Sequence, residues 1–148
     1  MSFRIKLFIL FSALPVIVAN LISCAAELGQ VVIFQPDKYK HTYEAGEKVI
    51  LNATARVFKD KLMGTNVKID YEQRRVETDY INQGNWRTRS IAYARKLNWK
   101  ESELTVSVIT EKRTPAGWEM RRLLDQEQYM NLFDTIDLKI YEEMSKIE

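Results

Sequence analysis

The chain is short of the residues that most small-site chemistry requires. Among its 148 residues there is one cysteine, Cys24, and one histidine, His41. A lone cysteine excludes a disulfide framework. One histidine with no further thiol leaves too few soft ligands for a zinc or iron site, so no metal and no cofactor is expected. Only five glycines and three prolines are present, and they are scattered. That excludes a collagen-like chain and leaves no glycine-rich loop to cradle phosphate. Charge of one sign is also lacking, with 22 Lys and Arg against 20 Asp and Glu. With Arg4 and Lys6 set aside in the leader, the body is balanced. A balanced body offers phosphates no large electrostatic term, so no nucleic-acid partner is expected. What is present is an ordinary globular composition, 46% hydrophobic and 28% charged. It is enough chain for one core and too little for two.

The first 23 residues read as an export signal. Arg4 and Lys6 give a short positive start. Leu7–Ile22 is nearly all apolar, broken mildly by Ser12, Pro15 and Asn20. The run is shorter than the roughly 20 residues of a membrane span and leads to small residues, as a cleaved signal does.

The exit reads Leu21-Ile22-Ser23-Cys24. It resembles the lipobox of bacterial lipoproteins: an aliphatic residue, a tolerant position, a small residue, then cysteine. The resemblance covers the leader and these four residues. It implies that Cys24 carries a diacylglyceryl group and becomes the first residue of the mature protein. Ala25 in second place implies passage to the outer membrane, facing the periplasm. Two or three acyl chains, at about 0.8 kcal/mol per buried CH₂, anchor a protein for good. The alternative is ordinary cleavage around Ser23-Cys24-Ala25 or Cys24-Ala25-Ala26 and simple secretion. Asn52-Ala53-Thr54 is a glycosylation acceptor pattern that would count only in a eukaryotic secretory path.

The rest divides into a lipid anchor and short tether over 24–30 and one β-rich domain over 31–148. Val31–Phe34 is a short apolar run before Pro36. Lys48–Phe58 alternates, with Val49, Leu51, Ala53, Ala55 and Val57 on one face, and predicts a strand. Val67, Ile69 and Tyr71 alternate, and the strand is expected to run on through Val76 to Tyr80. Asn82-Gln83-Gly84-Asn85 and Thr114-Pro115-Ala116-Gly117 predict turns. Ile91, Tyr93, Leu97 and Trp99 share one parity. Leu104, Val106 and Val108 alternate next, and Trp118, Met120 and Leu124 give a final short strand. From Asp125 the period changes. Tyr129, Phe133, Ile136, Ile140, Met144 and Ile147 form one face of a helix. Asp125 with Gln128 makes a capping box. A rival strand over Ile136, Leu138 and Ile140 is the weaker pattern. The expected class is α+β and mainly antiparallel β: five or six strands, as a sandwich or a strongly curved sheet, with a C-terminal amphipathic helix.

No pattern names a reaction. His41, between Tyr39 and Tyr43, reads as an edge histidine. Asp70 and Glu72 would project from one strand face, a pair capable of acid/base work that more commonly is a solvated face. No serine lies in a nucleophile elbow. The expectation is therefore a non-enzymatic, membrane-anchored envelope lipoprotein, an adaptor, pilotin-like or immunity-like factor that binds another envelope protein. The alternative is a soluble secreted module holding a small apolar ligand. Trp86, Arg87 and Arg89 are the candidate binding residues, because Trp86 follows a turn and precedes two arginines. Trp99 and Trp118 continue apolar parity and are expected in the core. Arg74-Arg75, Arg87/Arg89, Arg95-Lys96 and Arg121-Arg122 would form a basic patch if strand twist gathered them on one face; interleaved Glu72, Glu77, Asp79 and Glu119 favour a mixed surface.

Overall fold

A computed structural model of the chain describes residues 29–146. The expected export signal, Cys24, most of the expected tether and Ile147 lie outside those residues. The order of elements is β1 (Tyr39–Tyr43), α1 (Glu47–Asp60), β2 (Thr65–Asp70), β3 (Arg75–Asp79), β4 (Ile81–Gln83), β5 (Trp86–Lys96), β6 (Ser102–Thr114), β7 (Gly117–Arg121) and α2 (Gln126–Met144). All seven strands belong to one antiparallel sheet. The class is α+β with mainly antiparallel β. A single sheet with two helices packed on one face replaces the sandwich alternative.

Two long strands form the spine. β5 and β6 pair over their whole shared length, from Trp86↔Lys112 to Lys96↔Ser102. Each has two short strands along its other edge. β1 pairs Ser102–Val106 of β6 and β7 pairs Thr110–Thr114. β3 pairs Ile91–Tyr93 of β5 and β4 pairs Trp86–Thr88. Both outer rows therefore break at one level, where Ser90 of β5 faces Val108 of β6. Backbone donors stranded at such a break must find partners. Side-chain hydroxyls supply them. Ser90 N donates to Thr78 Oγ1 at 2.9 Å, and Val108 N donates to the Tyr129 hydroxyl at 2.9 Å.

One helix was legible and the other was not. α2 buries Tyr129, Phe133, Ile136 and Ile140 of the expected stripe and adds Leu132, while Met144 at the helix end is exposed. The capping box is complete: Gln128 N donates to Asp125 Oδ1 at 2.9 Å, and Asp125 N donates to Gln128 Oε1 at 3.0 Å. Leu138 points outward, so the rival strand is not formed. The segment expected as a strand over Lys48–Phe58 is instead α1. Its buried residues are Ile50, Leu51, Ala53, Thr54, Val57 and Phe58, a helical stripe. The alternating reading placed Ile50, Thr54 and Phe58 on the outer face. Thr54 is buried because its hydroxyl donates to Ile50 O at 2.7 Å, the back-bond open to a threonine within a helix. The expected long strand through Tyr80 is also corrected. The chain reverses over residues 71–74, where Asp70 Oδ1 accepts from Gln73 N at 2.9 Å and Arg74 takes φ 53°. Val31–Phe34 forms only one bridge, Val32 to Arg121. Gly29 N and Ile33 N nevertheless donate to Arg122 O and Met120 O, so the entering chain covers the edge of β7.

The core lies between the helices and the inner sheet face, with Ile50, Phe58, Val76, Ala92, Leu104, Val106, Phe133 and Ile136 fully buried or nearly so. Two core tyrosines carry buried hydroxyls. Tyr43 donates to Phe133 O at 2.9 Å. Burial pushes the Tyr129 phenol up to about 12, and burial together with Asp137 and Asp134 pushes Tyr43 higher still. Both groups hold their protons more tightly folded than unfolded. Their contribution is full below pH 10 and falls as pH rises through the folded values. Tyr129→Phe is expected to cost about 1–3 kcal/mol in urea unfolding, because Val108 N loses its acceptor. It should also flatten the loss of stability above pH 10. An unchanged alkaline profile would contradict this assignment.

Candidate functional site

Successive strand residues point to opposite faces, and this divides the candidate residues. Ser90, Ala92 and Ala94 of β5 are buried, so their parity faces the helices. Trp86 shares that parity. A Cβ on Gly29 would stand 3.0 Å from Trp86 Cη2, and Lys112 Nζ lies 5.3 Å from the Trp86 ring centroid. Trp86 is thus a half-buried platform under the entering chain. Arg87 and Arg89 project from the other, open face.

On that face Arg87 is held on three sides. Its guanidinium carbon lies 4.3 Å from the Tyr80 ring and 4.3 Å from the Trp118 ring, and it pairs with Glu111. Planar, weakly hydrated guanidinium suits such stacking. Arg89 lies 5.0 Å from Tyr80, and its Nε has no hydrogen-bond partner among the described residues. Burial raises the Tyr80 phenol, against the pull of Arg89. Trp118 therefore belongs to the open face and not to the core as expected. Its parity with Met120 was right, but that parity faces outward.

The basic residues do not merge into a bare patch. Arg75, Arg87, Arg89 and Arg95 share the open face, but Arg75 pairs with Glu77, Arg87 with Glu111 and Arg95 with Glu103. Arg74 pairs with Glu47, Arg121 with Glu119 and Arg122 with Asp37. The face is mixed, as the interleaved carboxylates suggested. Asp70 and Glu72 do not share a strand face. Asp70 ends β2 and caps the turn, whereas Glu72 lies within that turn. His41 packs on Phe133 and Tyr43, with ring centroids at 5.4 and 4.7 Å. Among the described residues no group of three or more His, Cys, Asp and Glu side chains could hold a metal.

The most exposed tryptophan is one of the two expected in the core. Trp99 is 88% exposed. Strand parity ends at Lys96, and Leu97–Glu101 form the β5–β6 turn. Asn98 pins it: its Oδ1 accepts from Lys100 N and Glu101 N, both at 2.8 Å, and its Nδ2 donates to Glu101 at 2.6 Å. Leu97 N also donates to Glu101 O at 3.0 Å. An asparagine bonding its own turn is a known signal, and Asn98 offered it. A rigid, exposed tryptophan beside Leu97 and Lys96 has the composition of a binding anchor.

No helix among the described residues is long and apolar enough to cross a membrane. No protein-family model and no curated protein matches the chain.

Proposed function

We propose that the chain is an exported, non-enzymatic lipoprotein of a bacterial envelope, held in the outer membrane through Cys24. In this reading its β-rich body docks another envelope protein. The observation that carries the docking reading is Trp99, rigidly displayed at the far end of the spine from the point of chain entry. Cys24 lies five residues before Gly29, a reach of at most about 17 Å. Gly29 rests on Trp86, the first residue of β5. β5 then runs 11 residues toward Trp99, about 36 Å at strand rise. An anchor at one end and a tryptophan at the other suit a short post that holds its tip toward a partner. Tryptophans at interface centres carry a disproportionate share of binding energy.

The test is site-specific crosslinking in a Gram-negative host. A benzophenone amino acid replaces Trp99 in the membrane-processed protein and, as a control, replaces Glu72. One discrete adduct with an envelope protein is expected from position 99 and none from position 72. Trp99→Ala should abolish capture of that identified partner while leaving the thermal midpoint unchanged. Equal crosslinking from both positions would remove the basis for the docking reading.

A further inference from the structure

A second surface has a different chemistry. Two adjoining hollows, about 300 and 210 Å³, open between the end of α1, the start of α2 and the inner face of β4–β6. They share Lys61, Met63 and Leu124. One end is polar, with Lys61, Gln128 and Asn131. The other is mainly apolar, running past Leu123 and Val108 to Ile81. No carboxylate lines either hollow. Lys61 is exposed and makes no ion pair among the described residues.

Leu62 at the groove's rim is one of three non-glycine residues with positive φ among the described residues, with Asn66 and Arg74. α1 ends in a Schellman motif: Met63 N donates to Phe58 O at 2.9 Å and Leu62 N to Lys59 O at 3.2 Å. That motif puts Leu62 in the left-handed region, at φ 52°, where glycine is the usual residue. Burial does not compensate the strain, since Leu62 is 68% exposed. Unlike Asn66 and Arg74, Leu62 lies against an apolar groove, and strained residues cluster at ligand clamps.

We infer that this groove binds a single-chain anionic amphiphile of the fatty-acid class, with its carboxylate at Lys61 and its tail beneath Leu62 along Leu123, Val108 and Ile81. The larger hollow, about 300 Å³, stands at the bottom of the range for small-molecule sites, about 300–1,000 Å³, the smaller adjoins it, and the lining has the usual balance of apolar walls and few polar groups. The inference is independent of the lipid on Cys24.

The probe is laurate below its micellar concentration, titrated by calorimetry into the full chain carrying Cys24→Ala. Saturable one-to-one binding is expected, tighter than that of dodecyltrimethylammonium. Lys61→Glu should weaken laurate about tenfold or more without weakening the cationic probe. Leu123→Trp should weaken both by filling the groove, with an unchanged thermal midpoint. Absent laurate binding, equal affinity for the two probes, or indifference to both substitutions would each overturn the inference. So would a dimer in sedimentation that Leu123→Trp dissociates, because the groove would then hold a second copy of the chain.

Discussion

Phe133→Ala is expected to lower the unfolding free energy by about 3–5 kcal/mol, a large part of the stability of a domain this size. The ring is 1% exposed and occupies the seam where α2 meets β1. His41 stacks on it from one side, and the Tyr43 hydroxyl bonds to its backbone carbonyl. Truncation leaves a cavity that neither neighbour can fill. Tyr43 is tied by its hydrogen bond, and His41 is fixed on an edge strand opposite Leu104. Urea unfolding should show a lower midpoint with an unchanged slope. A loss under about 1 kcal/mol would mean that the seam is loosely packed and that the core has been misplaced.

Gly64→Ala should cost about 3 kcal/mol. Gly64 takes φ 149°, close against β3. A Cβ there would overlap the Thr78 side chain and stand 2.8 Å from Asp79 O. Thr78 cannot yield cheaply. Its hydroxyl accepts from Ser90 N at the break in the β3–β4 row, and the Ser90 hydroxyl donates to Met63 O at 2.8 Å. Pushing Thr78 aside would strand a buried backbone donor. Gly84→Ala is the control, since its Cβ would meet nothing within 4 Å although φ is 61°. It should cost only the left-handed penalty, about 1–2 kcal/mol. Equal losses in the two variants would contradict a steric origin at Gly64.

These two positions show what a sequence can carry. Phe133 was legible because the sequence from Asp125 carries two agreeing signals, an apolar stripe in helical steps and a capping box at Asp125. α1 was not, because Val49, Leu51, Ala53, Ala55 and Val57 alternate by coincidence. Alanine and threonine fit either period, and only Ile50 and Phe58 on the supposed outer face spoke against a strand. The class survived that error because the strands around it were bounded by readable turns. Gly64 gave no warning, since nothing local shows that residue 78 will cross it. Arg87 and Arg89 were singled out from their place after a turn. Their stacking on Tyr80 and Trp118 depends on pairings between distant strands. Trp99 lies outside the core because strand parity stops at Lys96, and Asn98 is the residue in the sequence that signals the turn. The strain at Leu62 is invisible in sequence, where a leucine after a helix looks ordinary.

The most direct test of the account is the intact mass of the mature protein made in a Gram-negative host, wild type beside Cys24→Ala. The wild-type chain is expected to begin at Cys24, carry acyl mass and fractionate with the outer membrane, and Cys24→Ala is expected to remove the acyl mass and the membrane fractionation. Wild type and variant that are both unacylated and begin at Ala26 or Glu27 would contradict it.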